Sequence, residues 1–341
     1  MAKSTRALGG STVRALLIPL AALLLLTAPP AAAAPGSTAP DLGSASGSVA
    51  PGDLASADNP DWMSLLPDDV GLSELSLPGT HDTMAHRGSI FAQTQDADLP
   101  TQLRAGVRVL DVRTRHFRDA FPIHHGIEYL DSTFTDVVVQ VTDFLRSHPT
   151  EAVVMRLKEE YTAAENTRTY EDTLRWYIDA DPATRDRLQQ HLWRPPAGGG
   201  DSIPTLGAAR GKVVLLQNFA AAATYGPRWG GDAMDIQDSY ELTGLDDLDR
   251  KWDLIRTQFD RAAAGPGETF FVNHLSATGV PAALVTGTVP VTVARGVPGV
   301  TGILDRTEDH LAEHPTGRTG VVMADFPTAD LVDALVDRNF R

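Results

Sequence analysis

The sequence predicts an α/β protein, an irregular (β/α)8 TIM-type barrel in a single domain, on three observations. Beyond residue 60 short apolar runs alternate with stretches of helical spacing, most of those runs end in titratable residues, and the chain has no cysteine. Strand–helix alternation over this length favours parallel strands closed by crossover helices. Without disulfides, a chain of this size has to rely on one large hydrophobic core. A doubly wound open sheet is the competing architecture. Against it, no G-x-G-x-x-G follows the first strand and no Walker A sequence is present.

The first element is a leader. Lys3, Arg6 and Arg14 precede an apolar run, Ala15–Leu26, and alanine-rich residues extend to Ala34. A charged start, a short apolar middle and small residues at the cut describe a secretory signal peptide over residues 1–34, too short in its apolar part to span a bilayer comfortably. Residues 35–59, rich in Ala, Gly, Ser, Pro and Asp, are expected to form a disordered arm. The barrel is expected over 60–341, and the mature protein to be secreted and soluble. Losing the leader's three basic residues takes the net charge from -15 to -18. Nucleic acid should be repelled, and anionic lipid phosphates with it. Contact with a membrane would need apolar insertion or a local basic pocket.

Eight segments read as buried strands: Leu72–Leu77, Val107–Arg113, Phe121–His125, Ala152–Lys158, Lys212–Gln217, Met234–Asp238, Thr269–Asn273 and Gly320–Asp325. In the first, Leu75 and Leu77 alternate with polar residues, and Pro78-Gly79 is read as the turn that stops it. Helical spacing marks Thr135–His148, Tyr170–Leu192, Leu245–Ala264 and Ala329–Phe340.

If these strands form a barrel, their C-terminal ends converge on one mouth. Those ends carry His81-Asp82, Asp111 and Arg113, His124-His125, Lys158 and Glu160, Asp238 and Tyr240, and Asp325. An internal ion pair explains Asp111 and Arg113 as well as catalysis does. Asp325 is a charge inside an apolar strand, costly unless paired. His124-His125 could be half of a metal site, but there is no H-E-x-x-H and no cysteine to demand one. Two histidines and an arginine are sufficient to cleave a phosphodiester through an internal nucleophile. One neutral imidazole takes the hydroxyl proton, the protonated one gives a proton to the leaving oxygen, and the guanidinium meets the phosphate oxygens.

G-T-H-D-T-M-A at Gly79–Ala85, R-V-L-D-V-R-T-R at Arg108–Arg115, H-H-G-I-E-Y-L at His124–Leu130 and V-M-R-L-K-E-E-Y at Val154–Tyr161 resemble bacterial phosphatidylinositol-specific phospholipase C. So do G-K-V-V-L-L at Gly211–Leu216, I-Q-D-S-Y at Ile236–Tyr240 and V-V-M-A-D-F-P at Val321–Pro327. The resemblance implies a distorted barrel that cleaves phosphatidylinositol to diacylglycerol and inositol 1,2-cyclic phosphate. It makes His81 the general base, oriented by Asp325, and His125 the general acid, assisted by Asp82. Arg113 would hold the phosphate and Asp111 would support the site. Lys158, Asp238 and Tyr240 would hold the inositol ring. His124, His86, His116 and Glu160 would be supporting or surface residues.

Calcium-using relatives carry Asn after the first histidine and an acidic residue where Arg113 stands. The resemblance is therefore to the metal-independent branch, with no cofactor. Relatives place an arginine after the G-K-x-V-L-L motif, whereas this chain continues Gln217-Asn218-Phe219; Asn218 becomes the candidate for hydrogen bonding to ring hydroxyls. The expected partner is phosphatidylinositol at a membrane surface, met transiently by a monomer. Ile90-Phe91, the apolar loop 280–300 and Trp229 are candidate membrane contacts. The rival readings are a metal-dependent glycerophosphodiesterase or sphingomyelinase-type barrel enzyme, and a non-catalytic headgroup-binding protein.

Overall fold

In the computed structural model, which describes residues 53–196 and 201–341, nine strands pair into one curled sheet. They are β1 (Leu77–Thr80), β2 (Val109–Thr114), β3 (Pro122–His125), β4 (Glu128–Thr133), β5 (Val153–Glu159), β6 (Val213–Asn218), β7 (Met234–Gln237), β8 (Phe270–His274) and β9 (Val321–Ala324). Seven are parallel, in the order β7–β8–β9–β1–β2–β5–β6. No ladder joins β6 to β7 among the described residues, so the barrel is irregular and open on that side. The eighth expected strand, Phe121–His125, is not a barrel strand. It belongs to the antiparallel hairpin β3–β4, which meets β2 only at the Thr114–Ile123 pair.

Helices α1 (Leu99–Ala105), α2 (Phe134–Ser147), α3 (Tyr170–Asp179), α4 (Arg185–His191), α5 (Leu248–Ala264), α6 (Ile303–Glu313) and α7 (Ala329–Asp337) supply most of the outer layer. Thr133 and Asp136 close a reciprocal capping box at the start of α2, satisfying backbone N–H groups that the first turn leaves unpaired. Strand β9 shows why the sheet is covered on both sides. Val321 and Met323 join one buried cluster, while Val322 and Ala324 join a second with Ile255, Phe259, Ile303 and Leu335. Successive side chains point to opposite faces, and here both faces are dry.

Several expectations need correction. Leu72–Glu74 is a turn of 3-10 helix and β1 starts where the first strand was expected to end. Pro78-Gly79 lies inside the strand. Leu77 and His81 donate their N–H groups to Gly320 and Ala324 on the β9 side, which leaves Pro78 at the alternate position, where it withholds no donor from β9. A Cβ on Gly79 would stand 2.6 Å from Met323 Sδ and 3.1 Å from Val109 Cβ, so close strand packing, not a turn, demands glycine here. Tyr170–Leu192 is two helices, broken where Asp181-Pro182 cannot continue one. The segment 280–300, expected as a loop, contains short helices at Pro281–Leu284 and Pro290–Arg295 and buries Val289 and Val293, while Val285 between them stands 86% exposed. The expected leader lies outside the described residues, as does the expected arm up to residue 52. The rest of that arm is ordered: Leu54–Ser56 is a 3-10 turn, and Leu54 and Ala57 are buried.

Candidate active site

The register of β1 on β9 builds the first half of the site. Thr80 pairs with Ala324, so the next residues, His81 and Asp325, emerge side by side. His81 Nδ1 lies 2.7 Å from Asp325 Oδ1. Directly after each comes a left-handed residue, Asp82 at φ 45° and Phe326 at φ 49°. Aspartate enters that region more readily than most residues, but a bulky phenylalanine does so only when its surroundings enforce it. The enforcement is visible: Gln95 Nε2 donates to both His81 O and Ala324 O, and Phe326 N donates to Thr94 O.

Strand β2 delivers the guanidinium. Asp111 and Arg113 share the strand's inward face; Arg113 Nε donates to Asp111 Oδ2 at 3.0 Å, and Nη2 lies 2.9 Å from the same oxygen as an ion pair. The same Nη2 lies 2.7 Å from His81 Nε2. Because Nη2 can only donate, His81 Nε2 is the acceptor and the ring proton sits on Nδ1, facing Asp325. Arg113 Nη1 is 3.7 Å from Asp82 Oδ2, and that oxygen is 3.2 Å from His125 Nδ1. His125 Nδ1 also donates to Ala92 O at 2.8 Å. The Ala92 carbonyl can only accept, so the ring proton sits on Nδ1 with the Asp82 carboxylate beside it, and Nε2 faces the reaction. His125 reaches the site from the hairpin, which is tied down by Gly126 N donating to Glu160 Oε1.

Burial holds His81 well below the usual imidazole range, and Arg113 adds to the effect. Burial pushes Asp325 up. Protonating Asp325 would move the His81 proton to Nε2, against the Arg113 donor, so the pair rests as carboxylate and neutral imidazole. Asp82 is pushed up to about 6 by burial, with Arg113 and His125 opposing. Burial would also raise Asp111, but Arg113 and Arg156 outweigh it and hold it well below the carboxylate range.

His81, Arg113, His125, Lys158, Asp238, Tyr240 and Asp325 all line one cavity of about 290 Å³ at the C-terminal ends of the strands. Asp82 and Asp111 are fully buried behind it, Asp82 between Arg113 and His125 and Asp111 between Arg113 and Arg156. Asn218 does not line the cavity; its Oδ1 accepts from Arg156 Nε. Glu160, expected to be supporting, does line it and pairs with Lys158 at 2.7 Å. Trp229 is no surface anchor: its ring lies 4.1 Å from the Arg156 guanidinium and edge-on to His274. Arg156 itself lines the cavity and was missed, although Arg156, Lys158 and Glu160 alternate along β5 and its end as one face must. Ser276, Thr278 and Pro290 were missed too, on segments without a periodic signal. His116 is buried and bonded to Thr173, and His124 tilts against Tyr129, so neither faces the cavity.

Two imidazoles, each with a carboxylate beside it, stand on either side of one guanidinium at the mouth of a curled parallel barrel, the fold and site of an enzyme of the phospholipase C class. Residues 71–218 match the phosphatidylinositol-specific phospholipase C X domain. The 1-phosphatidylinositol phosphodiesterase of Listeria monocytogenes is 28% identical over 292 residues, covering 82% of this chain and 84% of that protein. The Staphylococcus aureus (strain Newman) enzyme of the same name is 29% identical over 243 residues, covering 63% and 74%. The solved phosphatidylinositol-specific phospholipase C of L. monocytogenes superposes with a TM-score of 0.68 at 27% identity, over 83% of this chain and 99% of that one. The chain carries a phosphatidylinositol-specific phospholipase C X domain and is similar over about four-fifths of its length to the bacterial enzyme.

Proposed function

We propose that this chain cleaves phosphatidylinositol to diacylglycerol and inositol 1,2-cyclic phosphate, with His81 as general base and His125 as general acid. The observation that carries the reading is the line Asp325–His81–Arg113–Asp82–His125, two hydrogen-bonding contacts of 2.7 Å followed by two charge contacts of 3.7 and 3.2 Å. In the reaction, His81 Nε2 takes the proton of the inositol 2-hydroxyl. That oxygen bonds to phosphorus, the bond from phosphorus to the diacylglycerol oxygen breaks, and His125 Nε2 protonates the departing oxygen. Asp325 and Asp82 each stabilise the imidazolium of their own partner, so neither ring carries its charge alone. Arg113 meets the non-bridging phosphate oxygens, where a planar fork of donors suits the charge that develops.

The same guanidinium supports a metal-independent mechanism. It stands among Asp111, Asp82 and Glu160, carboxylates that a divalent cation would otherwise neutralise. The membrane is the second partner in this reading. Ile90, Phe91 and Ile127 are exposed on loops at the cavity end, Ile127 at 74% and next to the His125 hairpin strand. No helix among the described residues is long and apolar enough to cross a bilayer, so contact would be shallow and transient, by a secreted monomer. The test is release of diacylglycerol from phosphatidylinositol vesicles by the purified protein in EDTA. Full activity is expected; loss of activity that calcium restores would favour the metal-dependent alternative.

A further inference from the structure

Arg156 is the least compensated cation lining the cavity. Lys158 has Glu160 at 2.7 Å, and Arg113 is surrounded by three carboxylates. Arg156 gives its Nε to a neutral acceptor, Asn218 Oδ1, at 2.9 Å, and lays its face on Trp229. The carboxylate nearest it is Asp111, whose Oδ1 is 3.4 Å from Nη1 while Oδ2 is already engaged by Arg113. Nη1 and Asp111 Oδ1 are both enclosed, and neither makes a hydrogen bond among the described residues, so the two meet only as an ion pair. A guanidinium whose donors are not saturated has hydrogen-bonding capacity to spare for an acceptor in the cavity that it lines.

The strand register says what kind of acceptor. Asp111 pairs with Arg156 and Arg113 pairs with Lys158, which sets Arg156 one inward rung deeper than the guanidinium between the histidines. A phosphate held at Arg113 would therefore leave the rest of its headgroup, not its phosphorus, facing Arg156. A dianionic group at that depth would stand beside the Asp111 carboxylate, whereas uncharged hydroxyl oxygens would not be repelled.

We propose that Arg156 is a headgroup-recognition residue whose guanidinium takes vicinal ring hydroxyls at the cavity floor, with Asn218 and Trp229 fixing its plane. This rests on the phosphatidylinositol reading above. Asn218 is then a positioning residue that acts through Arg156 and has no ring contact of its own.

The experiment measures inhibition by free myo-inositol, together with KM and kcat on a soluble inositol phosphodiester, for the full chain and for Arg156→Met and Asn218→Ala. Arg156→Met should raise both KM and the inositol inhibition constant about tenfold to a hundredfold, the worth of one charged hydrogen bond, with a much smaller change in kcat. Asn218→Ala should move both in the same direction by less. If Arg156→Met does not fold, judged by its thermal melt, Asn218→Ala carries the test. An unchanged inhibition constant in a folded variant overturns the assignment. A wild-type protein inert on every phosphatidylinositol substrate would overturn the function reading instead.

Discussion

His81 Nδ1 and Asp325 Oδ1 are 2.7 Å apart although 244 residues separate them in the chain. Their contact is a consequence of sheet register. Thr80 and Ala324 are paired, each strand ends there, and two residues on both turn through a left-handed residue that the Thr94-Gln95 segment holds in place. Catalytic geometry in this protein is set by how β1 lies on β9.

Gly79→Ala tests that dependence. The new methyl would meet Met323 Sδ, Val109 Cβ and the Val322 carbonyl, all within 3.2 Å, so the Met323 side chain must give way and β1 must ease away from its neighbours. Thermal or chemical denaturation should show a loss of about 1–3 kcal/mol, the usual cost of overpacking. Turnover should fall further than the residual folded fraction explains. Wild-type stability and activity in this variant would separate the site from the strand packing.

The pH profile follows from the state of His81. Burial and the Arg113 guanidinium hold its pKa well below 6.5, so the acid limb of kcat/KM assigned to this base should inflect below that value. The unfolded imidazole takes its proton at higher pH than the folded one, so the same group lowers stability as pH falls through 6.5. An acid limb above 6.5 that the His81→Ala variant lacks would contradict this placement.

Asp82 should trade stability for activity. Its carboxyl is raised from 3.8 to about 6 in the fold, so between those values the folded state holds a proton the unfolded chain has lost. Stability therefore declines as pH rises through that window and the loss persists above it. Asp82→Asn removes the cost and should gain up to about 3 kcal/mol at pH 7, while turnover falls because His125 loses its counter-charge. Equilibrium unfolding at pH 4 and pH 7 reads this directly: the gain should appear at the higher pH and shrink at the lower.

Ile127→Ala and Phe91→Ala test the membrane face. Each removes about 1 kcal/mol or more of apolar burial, which should weaken vesicle binding roughly fivefold to tenfold. Neither should alter turnover of a soluble inositol phosphodiester. Equal effects on both substrates would place these residues in the site and not at the lipid.

Much of this architecture is legible in the residues. The apolar runs around Val109, Val153, Val213, Phe270 and Val321 lie in barrel strands, because buried parallel strands leave an unbroken apolar signature. Periodicity was silent where tertiary packing overruled it. Pro78-Gly79 has the composition of a turn, yet the contact with Met323 makes it a strand. Phe121–His125 reads as a strand equally well in a barrel or a hairpin, since pattern carries no direction. Arg156 was passed over because its neighbours Leu157 and Met155 made β5 read as core. Only the packed structure shows Trp229 lying across it.

The division of labour between the two imidazoles is tested most directly by changing the leaving group. For an inositol phosphodiester that expels p-nitrophenolate, a weakly basic anion that departs without a proton, the wild-type chain no longer needs its general acid. His125→Ala, expected to lower phosphatidylinositol turnover by roughly two to four powers of ten, should recover most of its loss on this substrate, while His81→Ala should not. Recovery by His81→Ala, or an equal deficit in both variants, would contradict the assignment of base and acid.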